Sequence, residues 1–213
     1  MTAHLPLLVF DTNILMDIWL GRDGNQATLL LELAEEKRIE LVVPEYVLLE
    51  FQGTALRYVQ GEKAKLGQQV RPVVNGWLRS KALGEEAADL IHEGLKRVEQ
   101  RLAEQRKALP EIAKRIASIA RVARHTPDVH FRGDLRHLAG APPDRPVDGL
   151  NDCRIYEAIL EIARADRANE RTKIMATKDN DFDYPELKAE LANLGFTIRN
   201  DLGALYGEFR GKP

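Results

Sequence analysis

The sequence predicts an α/β protein, a mainly parallel sheet covered by helices and carrying a helical insertion, and three observations predict it. Short apolar runs at residues 7–10, 39–43 and 173–177 alternate with amphipathic stretches, as strands buried on both faces and joined by helical crossovers do. Residues 53–124 carry almost unbroken helical periodicity. An acid follows the first apolar run directly and the third after one residue, where ligands gather beyond the carboxyl ends of parallel strands.

The first run, Leu7-Leu8-Val9-Phe10, ends in Asp11-Thr12-Asn13 and so delivers a carboxylate to the edge of the sheet. Asp and Asn are also favoured helix caps, and a short helix is expected over residues 14–20, stopped by Gly21. After the turn Arg22-Asp23-Gly24-Asn25, a second helix opens at Asn25 or Gln26 and runs through Leu29, Leu30, Leu33 and Ala34, completing one crossover. Residues 39–43 form the second strand, and Pro44 stands at the expected first position of the next helix. That helix builds its apolar face from Val47, Leu48 and Phe51, with Glu50 beside them. A carboxylate among apolar neighbours is costly unless a cation neutralises it, whereas Glu45 at the helix start is explained by the helix dipole.

Breaks in the helical segment are expected at Arg71-Pro72, Gly84 and Leu109-Pro110. One stripe holds Leu90, Ile91, Leu95, Val98 and Leu102; another holds Ile112, Ile116, Ile119, Ala120 and Val122. Joined at Pro110, they predict an antiparallel helical hairpin. Residues 53–124 contain 15 Lys plus Arg against 8 Asp plus Glu, a net of +7, which leaves −9 for the rest of the chain. A basic segment beside an acidic one suits a polyanion held by the first and cut by metal ions on the second. No aromatic residue is interleaved with the cations of residues 84–124, so that stretch offers phosphate contact rather than base stacking.

Residues 125–146 read as a return loop, rich in Pro and Gly. The expected division is therefore a core of residues 1–52 and 147–213 and an insertion of residues 53–146. Asn151-Asp152 then starts a helix faced by Ile155, Ile159, Ile162 and Ala163. The third strand, 173–177, ends in Lys178-Asp179-Asn180-Asp181-Phe182, and a helix over 185–194 and a strand over 196–199 follow. No internal repeat, GxGxxG or GxxxxGK motif is present.

Composition narrows the class. Of 213 residues, 44% are hydrophobic and 30% charged, no apolar run is long enough to cross a bilayer, and no signal-like segment opens the chain. A cytoplasmic location and no membrane partner are the expectations. The single Cys153 excludes an internal disulfide and a thiolate-based zinc site, and reads as a small packed residue.

Acids thus occupy four comparable places: Asp11 after one strand, Glu50 in the helix after another, Asp152 at a helix start, and Asp179 with Asp181 after a third strand. Carboxylates converging in one pocket repel one another unless divalent cations neutralise them, and Mg²⁺ and Mn²⁺ prefer such oxygen donors. The ordered set, Asp11-Thr12-Asn13, residues 44–51 with Glu50, Asn151-Asp152 and the run 177–182, resembles the PIN-domain nucleases over residues 5–52 and 147–200.

The resemblance implies a three-layer α/β/α domain and a divalent-metal-dependent nuclease, an endoribonuclease hydrolysing RNA with metal-activated water. It assigns Asp11, Glu50, Asp152 and Asp179 as the acidic quartet and Asp181 as a fifth or water-mediated ligand, with Thr12 hydrogen-bonding inside the site. Asp148 is the rival to Asp152, although it precedes Gly149 and reads as a turn residue. RNA is the implied partner, and a second copy of the chain or a protein inhibitor of antitoxin type is also allowed. Two other readings stay open. One is an inactive PIN-like module that binds RNA or organises an assembly. The other is a metal-assisted phosphatase of haloacid-dehalogenase type, whose usual second Asp is missing because Thr12-Asn13 follows Asp11.

Overall fold

Short β-branched and apolar runs bounded by polar residues become the strands of one sheet in a computed structural model, which describes residues 4–22, 24, 26–79, 84–144 and 149–211. The strands are β1 (Leu7–Phe10), β2 (Glu40–Pro44), β3 (Arg121–Ala123), β4 (Lys173–Ala176) and β5 (Phe196–Arg199). Every pairing is parallel and the order is β3-β2-β1-β4-β5. All four residues of β1 are completely buried, as a central strand covered on both faces must be. The helices are α1 (Thr12–Leu20), α2 (Gln26–Glu35), α3 (Glu45–Lys65), α4 (Arg71–Arg79), α5 (Glu85–Ile119), α6 (Pro127–Leu138), α7 (Gly149–Ala165), α8 (Pro185–Ala192) and α9 (Leu202–Arg210). With α2 packed on α1 and α9, and α6 packed on α7, the sheet lies between helices and the architecture is the three-layer α/β/α fold.

The order of the strands locates the chemistry. From β1 the chain moves outward to β2 and β3, then returns to the other side of β1 with β4. The crevice beyond the carboxyl ends of β1 and β4 is therefore the topological switch point of the sheet, the usual binding place in open α/β folds. Asp11 follows β1 there, and Thr177 follows β4. Because all strands run one way, a helix that leads into a strand begins at the same carboxyl edge, and this places the first turn of α7 there too.

The chain divides into two compact units, Met1–Phe51 with Ala113–Pro213, and Gln52–Ile112. The first holds the whole sheet. The second is helical, with a π-turn at Leu66–Val70 leading into α4 and an ion pair between Arg71 and Glu99. Among the described residues, no helix is long and apolar enough to cross a membrane.

Several sequence expectations are corrected. The hairpin turned at Pro110 is a single 35-residue helix, α5, with Pro110 inside it. Leu102, Leu109, Ala113 and Ile116 are all buried and keep one helical register through the proline, while Pro110 and Arg106, whose carbonyl loses its intrahelical donor, are exposed to water. Val122, expected on a helix, pairs with Val43 as part of β3. The return loop at 125–146 contains α6, capped by the Thr126 side chain, which accepts from the Val129 amide, with Pro127 in the first turn. Strand β3 and helix α6 thus belong to the sheet-bearing unit and not to an insertion of residues 53–146. Pro44 ends β2 opposite Ala123 instead of opening α3, and α9, with Asp201 as its cap, is an additional helix.

Candidate functional site

Asp11 is the N-cap of α1, with an extended backbone conformation, and is only 4% exposed. One carboxylate oxygen, Oδ1, accepts from the Thr12 amide at 2.7 Å. The other, Oδ2, accepts from the Thr177 hydroxyl at 2.7 Å and from Asn13 Nδ2 at 3.0 Å. Burial nevertheless pushes its pKa up to about 6. The Thr177 and Thr12 hydrogen bonds pull it down, and the charges of Glu50 and Asp179 push it up further. Three donors do not offset the loss of water around this charge.

Thr177 organises the crevice. It is buried, its hydroxyl donates to Asp11, and its oxygen accepts from Asn13 Nδ2 at 3.2 Å and from the Asp179 amide at 3.0 Å, which uses all the capacity of a hydroxyl. Asn13 closes the loop by accepting from the Lys178 amide at 3.1 Å. The end of β1 and the segment after β4 are therefore tied by side chains as well as by the sheet. Asp179 caps a short 3-10 turn (Asn180–Phe182), its Oδ1 accepting from the Asp181 amide at 2.9 Å. Glu50, half-buried on the second turn of α3, accepts a short hydrogen bond from the Thr12 hydroxyl. The cation that follows Thr177, Lys178, is engaged by Asp17 at 2.7 Å.

Asp11 is thereby brought near Glu50 and Asp179, whose charges act on it. Asp181 stands in the turn that Asp179 caps. Asp152 is half-buried in the first turn of α7, next to Asn151, whose Oδ1 accepts from Tyr46 Oη at 3.0 Å at the start of α3. Asp152 is thus one residue from a group tied to α3. Asp148 lies outside the described residues.

Residues that the sequence did not assign a role complete the picture. Thr177 and Asn13 bind each other across 164 positions, and only the pairing of β1 with β4 reveals it. Beside the acids, Tyr46, His125 and His130 cluster with Arg154. Further along, His137 Nδ1 and Asp144 Oδ1 lie 2.5 Å apart, and the donor atoms of His137, Asp144 and Cys153 all fall within 4.8 Å of one another. The trio brings a soft ligand near a His despite the single cysteine. However, burial and the charge of Asp144 push the Cys153 thiol up to about 11, which keeps it protonated, and the His137–Asp144 separation is that of a hydrogen bond.

A family model described as PIN domain matches residues 8–182. Comparisons with curated proteins and with solved structures give no match.

Proposed function

We propose, from the premise that this chain belongs to the PIN-domain family, that it is a divalent-metal-dependent endoribonuclease whose centre is the crevice between β1 and β4. Metal-dependent nuclease chemistry is general in that family. The RNA substrate, the metal and the residue roles are our reading. The observation that carries it is Asp11, a buried carboxylate at the switch point whose pKa is pushed up to about 6 in part by two further acids.

The donor set fits Mg²⁺ or Mn²⁺. Every candidate is an oxygen, and such ions need only one or two direct carboxylates because they keep several of their waters. Asp11, Glu50, Asp152 and Asp179 would hold the ion, with Asp181 behind Asp179. When bound, the ion would supply positive charge to the phosphoryl oxygens and make a water more acidic.

The chain's own residues do the remainder. Asp11 is aimed by the Thr12 amide, Asn13 and Thr177, so its orientation is set before substrate arrives. Thr12 holds one oxygen of Glu50 and leaves the other to accept from water, which suits Glu50 to orient the attacking molecule. The 3-10 turn presents Asp179 from the opposite strand, so the scissile phosphate is flanked from both sides of the crevice.

The test is cleavage of single-stranded RNA, structured RNA and DNA with Mg²⁺, Mn²⁺ or EDTA. Wild-type protein should cut RNA with either ion and stop in EDTA, and Asp11→Asn and Asp152→Asn should each be slower by about a hundredfold or more. Equal rates for Asp11→Asn and wild type would overturn the mechanism. RNA that is bound but never cut would assign the fold to a binding module.

A further inference from the structure

Acids repel a phosphodiester strand, so the contacts that hold RNA must flank them. On the β2–β3 side of the crevice three aromatic rings meet from three elements. Tyr46 belongs to the first turn of α3, His125 follows β3, and His130 is on α6. The Tyr46 and His125 ring centroids are 4.9 Å apart, those of His125 and His130 4.2 Å, and those of Tyr46 and His130 5.8 Å. All three residues are half-buried, at the edge of the sheet and not in its core.

His125 shows what kind of surface this is. Both ring nitrogens are buried and take no hydrogen bond, while its backbone amide donates to Glu45 Oε2 at 3.0 Å. Burial, with His130 and the Arg154 guanidinium nearby, pushes its pKa down to about 4, so the ring is neutral at pH 7 and serves as a flat aromatic wall. Arg154, from α7, lies with its guanidinium carbon 5.9 Å from the Tyr46 ring centroid. It donates Nε to Asp134 at 2.8 Å and Nη1 to Tyr46 Oη at 3.1 Å, and among the described residues Nη2 takes no partner. The group adjoins the acids: Tyr46 and Glu50 are four residues apart on one face of α3, and Tyr46 binds the neighbour of Asp152.

We infer that Tyr46, His125, His130 and Arg154 form a nucleotide subsite beside the acids, the rings taking an unpaired base by stacking and Arg154 taking its phosphate. Single-stranded nucleic acid is held in this way, by π-faces together with a cation that follows the backbone. The inference rests on the nuclease reading for the identity of the strand, and it narrows the substrate to one whose base is free to leave its stack.

Binding without cleavage tests it. Fluorescence anisotropy in EDTA compares an eight-residue oligoadenylate with an abasic oligomer of the same length. Wild-type protein should bind the intact strand about tenfold more tightly. In His130→Ala that ratio should fall to near one, in His130→Phe it should persist, and in Arg154→Gln both affinities should drop together with a shallower salt dependence. Thermal unfolding reports whether each variant is folded, and His130→Phe gives the answer if His130→Ala is not. A wild-type ratio near one, or a ratio unchanged in folded His130→Ala, would overturn the subsite. A base preference in a protein that never cuts RNA would uphold the subsite and sink the nuclease reading; cutting without a base preference would do the reverse.

Discussion

Asp11 is held against its own stability. Its pKa in the folded chain, about 6, lies above the ordinary carboxylate value, so the native state binds the proton more tightly than the unfolded state does. That contribution favours folding below about pH 4, is lost as pH rises from 4 to 6, and amounts to about 3 kcal/mol. Asn has no such titration. In EDTA, the stability of Asp11→Asn relative to wild type should therefore rise between pH 4 and pH 7, as urea unfolding at the two pH values will read. A difference that stays constant with pH would mean that the carboxylate is not desolvated. Asp11 was legible in the sequence because an apolar run ends abruptly in an acid. Thr177 was not, since its role depends on a hydroxyl meeting a carboxylate 166 positions away.

Among the helices, the tightest contact lies between α6 and α7. A methyl group on Gly133 would come within 2.7 Å of Arg154 Cγ and 2.8 Å of its Cα, and backbone does not give way as a flexible side chain does. Gly133→Ala should cost about 1–3 kcal/mol in urea unfolding and weaken RNA binding, because α7 carries both Arg154 and Asp152. Pro110 makes the opposite case. It removes one hydrogen bond from the interior of α5 at an exposed position, so Pro110→Ala should raise the free energy of unfolding by about 1–3 kcal/mol and leave cleavage unchanged. The same two helices show where reading by periodicity failed. A proline whose freed carbonyl is solvated need not end a helix. In α6, Thr126-Pro127-Asp128 is a helix start that the surrounding Gly and Pro obscured. Strand β3 is three residues long, too short for a period of two to stand out from the helical stripe that precedes it.

For the molecule as a whole, the alternation of strand and helix was enough to give the parallel sheet, and the acids after β1 and β4 were enough to point to its carboxyl edge. The aromatic cluster was out of reach because Tyr46, His125, His130 and Arg154 come from four segments with no shared spacing. A divalent ion that binds only the native state should stabilise the entire fold. Wild type should gain about 2.7 kcal/mol when Mn²⁺ is present at a hundred times its Kd, and Asp11→Asn should gain little, as thermal unfolding with and without the ion will show. The adjacency of β1 and β4 has one more consequence. Asp11 leaves the ribosome 166 residues before Thr177, the hydroxyl that holds it. A growing polypeptide therefore lacks one wall of the crevice until the segment after β4 has emerged, a delay that the order of the strands imposes.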